Sequence, residues 1–266
     1  MKKEKAPKRE YRLFQKDNIN VSYKTYVLKS GSAHRLMQKN ENDFRFFIED
    51  MSAVLEKSKS PGVPIRTTFI DSNPKDYITE YPREYIKNVT GSMGYARLFY
   101  KHEEGRPSTL NGIDVVVNNY SLSTLVHEYG HVLDYTHNTN GMGISHMSFF
   151  APLRESYKAM TTRHVNQTTE TIAPDYIEYI NSDAEIFAST FHRWYYETYS
   201  HTFTDPSILA PNSDMLPQDA VAEKLYQEMP EVYRFYDRMF GQTINQNRWD
   251  IYNESLKELE STGRKL

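Results

Sequence analysis

The chain has 266 residues, enough for one large domain or two small ones. Its net charge of −3 argues against a nucleic-acid binder, which carries a basic surface. It has no cysteine, so disulfides and thiolate ligands are excluded, and any metal must be held by histidine and carboxylate.

The opening "MKKEKAPKREYRLF" is basic but has no apolar run behind it, so it does not read as a signal peptide. Residues 1–30 are Lys-rich and polar, and the expectation is a loosely ordered arm ahead of a single domain over 31–266. No stretch approaches the ~18 apolar residues of a membrane span. Phe44, Phe47, Ile48, Met51 and Leu55 recur at helical spacing, with Asn42 as N-cap, and "SPGVP" (60–64) ends that helix. "IRTTFI" (65–70) reads as a strand. "DSNPKDYITEYPREYIKN" holds two prolines and reads as loop with a short helix. "GYARLFY" (94–100) and "GIDVVVNN" (112–119) read as strands, the second running into a helix over 121–137.

A helix is expected around 151–163, then a polar stretch to Asn181. "SDAEIFASTFHRWYYETY" (182–199) reads as a helix with Ser182 or Asn181 as cap, and a Pro-rich loop follows. "MPEVYRFYDRMFG" predicts a helix with Pro230 in its first turn and Gly241 past its end. Its buried stripe is Val232, Phe235, Tyr236, Met239 and Phe240. A short terminal helix carries Trp249, Tyr252, Leu256 and Leu259. Helices dominate around one small central sheet, so the fold class is α+β.

"TLVHEYGHVLDYTH" (124–137) holds three of the nine histidines. His127-Glu128-Tyr129-Gly130-His131 matches H-E-x-x-H. Residues four apart lie one turn apart on a helix, so both imidazoles can reach one ion. Glu128 projects about 100° around, beside the ion, where it can act as general base towards a metal-activated water. The helical wheel separates two faces. Leu122, Leu125, Val126, Tyr129, Val132 and Leu133 cluster on one, and His127, His131 and Asp134 on the other. Gly130 costs roughly 1 kcal/mol relative to alanine inside a helix, which implies that something packs closely there.

A catalytic zinc takes three protein ligands and a water. His137 sits where the H-E-x-x-H-x-x-G-x-x-H frame puts its third histidine, although Asp134 stands at the glycine of that frame. Glu185 is the other candidate, from the helix on which Glu185, Ser189 and His192 share a side. A capping box between Ser182 and Glu185 would compete for the same carboxylate.

"LVHEYGHVLDY" and "NSDAEIFASTFHRW" resemble the two zinc-helix motifs of the anthrax toxin lethal-factor family of metalloproteases, which includes the Pro-Pro endopeptidases. The matching positions are His127, Glu128, Gly130, His131 and Asp134, then Asn181, Ala184, Glu185, Phe187, Ala188 and Phe191. "MPEVYRFYDRMF" is similar to the family's closing helix, and the resemblance covers roughly residues 95–241. It implies a gluzincin-like, mostly helical metallopeptidase with an active-site helix, and one Zn2+ bound by His127, His131 and Glu185. It also implies a tyrosine before the glutamate ligand that donates to the transition state, Tyr179 ahead of Tyr176.

The expected function is a zinc-dependent endopeptidase acting on a protein or peptide bound in extended form. The strand "IDVVV" (113–117) is expected at the cleft edge, paired with the substrate backbone. Asp134 is expected to orient a ligand histidine. A catalytically idle docking domain of the same fold and an intracellular regulatory H-E-x-x-H peptidase are the rivals. A toxin-like, secreted protein whose leader has been removed is the expected setting, with the cytoplasm as the alternative.

Overall fold

The computed structural model describes residues 9–25, 40–71, 94–102, 108–118, 121–137, 142–168, 172–213 and 216–261. The first two strands, β1 (Arg9–Lys16) and β2 (Ile19–Thr25), form an antiparallel hairpin. Asp17 turns the chain at a φ of 47°, a left-handed conformation that Asp adopts more readily than most residues. The expectation of a loose arm is therefore corrected over residues 9–25. Ile19, Val21 and Tyr23 alternate with Asn20, Ser22 and Lys24, and the apolar set is buried. The period-2 pattern outweighs the Lys-rich composition around it. This hairpin belongs to the same sheet as the later strands, and residue 30 lies outside the described residues.

Helix α1 (Glu41–Glu56) precedes β3 (Ile65–Asp71), β4 (Gly94–Lys101) and β5 (Thr109–Asn118). Its N-cap is Asn40, without a side-chain bond, so Asn42 lies inside the first turn rather than capping it. The sheet order is β1-β2-β3-β5-β4. β2, β3 and β5 run parallel, and β1 and β4 flank them antiparallel. The expected loop with short helix after β3 falls on residues 72–93, outside the described residues.

One sheet face is apolar: Ile19, Val21, Tyr23, Ile65, Phe69, Ile113, Val115 and Val117 are buried there. Helix α1 and helix α2 (Leu122–Thr136) cover it. Phe44 meets Phe69 edge-on at 4.9 Å, and Tyr129 shares a buried hydrogen bond of 2.8 Å with Thr67. The opposite face is mixed: it carries the Arg66–Asp114 ion pair at 2.6 Å and the buried Ile70 and Val116. β5 is therefore interior, hydrogen-bonded to β3 on one side and β4 on the other. Its backbone groups are taken, which corrects the expectation that residues 113–117 form the cleft edge. Among the described residues, the outermost strand on that side is β4.

The rest is helical: α3 (Ala151–Gln167), α4 (Pro174–Ile180), α5 (Asp183–Tyr199), α6 (Pro217–Glu228) and α7 (Gln242–Ser261). α4 stands inside the expected polar stretch, and α6 follows the Pro-rich segment. α5 is buried almost all round, with Phe187, Phe191, Trp194 and Tyr195 in the core. Pro230–Gly241 winds as a 3-10 turn, a short α stretch and a π turn, and then runs straight into α7. Gly241 is thus no helix stop, because it lacks the left-handed φ that ends a helix. Phe235, Tyr236 and Phe240 are buried as expected, Val232 is partly buried, and Met239 is exposed. The terminal helix is 20 residues long rather than short, and Trp249 and Tyr252 face outwards. No helix among the described residues is long and apolar enough to cross a membrane.

α7 is fixed by a buried charge. Asp50 on α1 is fully buried, and its Oδ2 accepts from Arg248 Nη2 at 2.6 Å and from the Tyr195 hydroxyl at 2.7 Å. The Arg248 guanidinium lies over the Phe46 and Tyr199 rings at 4.4 and 4.3 Å. Removing one member of such a pair strands the other in a dry core. Arg248→Ala is expected to cost ~3–5 kcal/mol in urea unfolding, more than the double change of Asp50 and Arg248 to leucine. A single variant as stable as the double one contradicts this.

Candidate metal centre

The centre is built on α2 and α5. The Ser121 hydroxyl caps α2 by accepting the Thr124 N–H at 3.0 Å. Leu122, Leu125, Val126, Tyr129, Val132 and Leu133 are all buried, as the wheel requires. That orientation turns His127 and His131 towards α5. Ser182 caps α5 without a side-chain bond, so the capping box does not form. Glu185 points instead at the two imidazoles. His127 Nε2 lies 3.3 Å from Glu185 Oε2, and His131 Nε2 lies 3.2 Å from Oε1. One ligand atom from each of the three side chains falls within 4.8 Å of the others, a group that could hold a metal ion.

The donor set fits a cation. Glu185 is buried, and its Oε2 has no hydrogen-bond donor despite the nearby imidazole. A buried carboxylate oxygen without a donor is costly unless a positive charge sits beside it. Two imidazoles and one carboxylate are a donor set that could hold a metal ion. Burial would raise Glu185 and lower both histidines, but their mutual attraction outweighs it. Glu185 is held well below the usual carboxylate range and both imidazoles above theirs.

Two glycines allow the close packing. A Cβ on Gly130 would lie 2.7 Å from the Ala188 Cα, so α2 and α5 touch backbone to backbone. A Cβ on Gly94 would lie 3.0 Å from Glu128 Cγ and 2.6 Å from Thr124 Cγ2. The start of β4 therefore presses against Glu128. The Glu128 carboxyl is buried, and its pKa is raised by that burial, against the pull of His127 and His131 and a hydrogen bond from the Ala96 backbone. Glu128 stands outside the three-residue group, as its position on the wheel implies.

The remaining expected residues separate. Tyr179 is half exposed, and its hydroxyl is beside Glu185; burial first, then the Glu185 charge, push its pKa up. Tyr176 is engaged elsewhere, donating to Gln218 Oε1 at 2.5 Å. His137 caps α2 with its ring against Phe240 at 5.2 Å, and burial pushes it down to about 4. It is not in the group. His192 packs beside His127 with ring centroids 6.5 Å apart, but its Nε2 bonds the Leu209 carbonyl at 2.8 Å.

Asp134 corrects another expectation. Both of its oxygens are used by Ser145, from the backbone N–H at 2.7 Å and the hydroxyl at 2.8 Å. Among the described residues no ligand histidine bonds it. Sequence reasoning missed Gly94, Ala96, Gln218 and Asp219 around the centre. The last two belong to α6, whose signal was present: Pro217 in the first turn, then Val221, Ala222 and Leu225 at helical spacing.

Two outcomes test the geometry. Helix propensity favours Gly130→Ala by about 1 kcal/mol. The clash with Ala188 backbone, on the order of 1–3 kcal/mol, opposes it and should win. The expected result is a lower melting temperature and weaker metal uptake; a stabilised variant with unchanged uptake shows that the close contact is not needed. In chelator competition, Glu185→Gln is expected to weaken metal binding strongly and His137→Ala to leave it unchanged.

No family model matches the chain and no curated protein matches it significantly, so the reading of this centre rests on its own geometry.

Proposed function

We propose that the chain is a zinc-dependent endopeptidase of the lethal-factor-like kind that its two helix motifs resemble. The observation that carries the proposal is the convergence of His127, His131 and Glu185 from two helices, with Glu128 buried beside them and outside the group. Zinc, when bound there, supplies Lewis acidity: it lowers the pKa of water from ~15.7 towards ~7 and polarises a carbonyl.

The chain's own residues do the rest. Glu128 takes the proton of the attacking water and delivers it to the leaving amine. Its burial raises its pKa from the ordinary carboxylate value, which suits a base that must also act as an acid. The Ala96 backbone holds that carboxylate in place. Tyr179 keeps its proton and stands half exposed beside Glu185, where it can donate to an oxyanion developing over the centre.

On this reading the extended substrate runs near β4 rather than β5, whose two sides are paired with β3 and β4. What supports it is the packing of Gly94, at the start of β4, against Glu128.

The test is digestion of a proteome-derived peptide library by the wild type and by Glu128→Ala. The variant is expected to keep about one zinc per chain and to lose ~10²–10⁴-fold in activity. Zinc uptake with no cleavage by the wild type would instead favour a docking domain. A wild type that takes up no zinc sinks the peptidase reading.

A further inference from the structure

α2 and α5 pack along an extended face. Within it Gly130 and Ala188 come so close that a Cβ on Gly130 would lie 2.7 Å from the Ala188 Cα. That contact sets the spacing of the helices on one side of the ligands. A second attachment stands one turn further along α2. The Asp134 carboxylate receives both Ser145 donors, at 2.7 and 2.8 Å. A Cβ on Gly143 would lie 2.5 Å from Asp134 Oδ2, so the loop closes over the carboxylate only because that residue is glycine.

The same loop reaches the start of α5. Arg154 Nη1 donates to the Ser145 carbonyl at 2.7 Å and to Asp183 Oδ2 at 3.3 Å. His146 Nδ1 meets Asp183 Oδ2 at 3.1 Å, and Lys158 Nζ donates to Asp183 Oδ1 at 3.0 Å. Asp183 is the first residue of α5, two before Glu185. The line Asp134–Ser145–Arg154–Asp183 thus ties the last turns of the histidine helix to the first turn of the glutamate helix. His131 lies between Gly130 and Asp134, and Glu185 lies between Asp183 and Ala188, so each of these two ligands stands between two fixed points of its helix.

We infer that Asp134 and Asp183 are positioning residues that, through the 143–146 loop and Arg154, hold Glu185 in register with His127 and His131. The inference rests on the reading of those three side chains as a metal site. It moves Asp134 from the orientation of one histidine to the spacing of the two helices. Outer partners of this kind cost about 10–100-fold in metal affinity when lost.

The experiment is zinc affinity by chelator competition, with thermal melts of the metal-free chains, for the wild type, Asp134→Ala, Asp134→Asn and Asp183→Ala. Met51→Ala, a core truncation on α1, is the control for loss of stability without loss of the brace. Asp134→Ala and Asp183→Ala are expected to bind zinc ~10–100-fold more weakly. Asp134→Asn, which keeps an acceptor for the Ser145 N–H, recovers most of the affinity, and Met51→Ala binds as the wild type does even where it melts lower. Should Asp134→Ala not fold, Asp183→Ala carries the test, because that side chain lies nearer the surface. Wild-type affinity in Asp183→Ala, or an equal loss in Met51→Ala, overturns the inference while leaving the metal site standing. No zinc uptake by the wild type removes both.

Discussion

The distance between two helix backbones governs this molecule. α2 and α5 can meet at Gly130 and Ala188 only because one side chain is absent and the other is a methyl group. Glycine inside a helix is costly by roughly 1 kcal/mol, so the local sequence weakens α2 in order to bring a carboxylate within reach of two imidazoles. Everything beneath that contact supports it. Six apolar residues seat α2 on the sheet, Tyr129 anchors it to Thr67, and an aromatic core holds α5 from below. Small residues at a crossing are a packing device first; here the same device sets the geometry of a site.

Three buried carboxylates show how the nature of the partner reveals the task. Asp50 is met by a guanidinium and a phenol, which make it a staple between distant segments. Asp134 is met by the N–H and O–H of Ser145; burial pushes it up to about 6, and it anchors a loop. Glu185 faces two imidazoles and still has an oxygen without a donor. The first two are complete as they stand. The third belongs to a group that could hold a metal ion.

The histidine helix was legible because its two faces differ in chemistry, and the spacing of His127 and His131 follows from the helix itself. Glu185 was legible as a candidate, but choosing it over His137 needed the resemblance. Of those two candidates the structure brings Glu185 to the histidines, and it uses His137 to cap α2 against Phe240. What was hidden has physical reasons. The β1–β2 hairpin was obscured by the lysines in and around it, although Ile19, Val21 and Tyr23 alternate correctly. Strand order is a non-local property, so nothing in "IDVVV" could say that β4 would lie outside it. Gly241 looked like a stop because composition does not reveal φ. Asp134 looked like a partner for histidine because the helix wheel cannot show a loop folding back eleven residues later.

The Asp50–Arg248 pair joins positions 198 residues apart. During synthesis the chain emerges from its N-terminus, and domains take shape as units once their parts are available. Asp50 belongs to α1, beside the sheet, and its counter-charge arrives only when α7 has left the ribosome. Until then the layer that carries α1 holds an acidic group still waiting for its guanidinium. The fold can therefore close its core only once α7 has been made, and that helix acts as the latch.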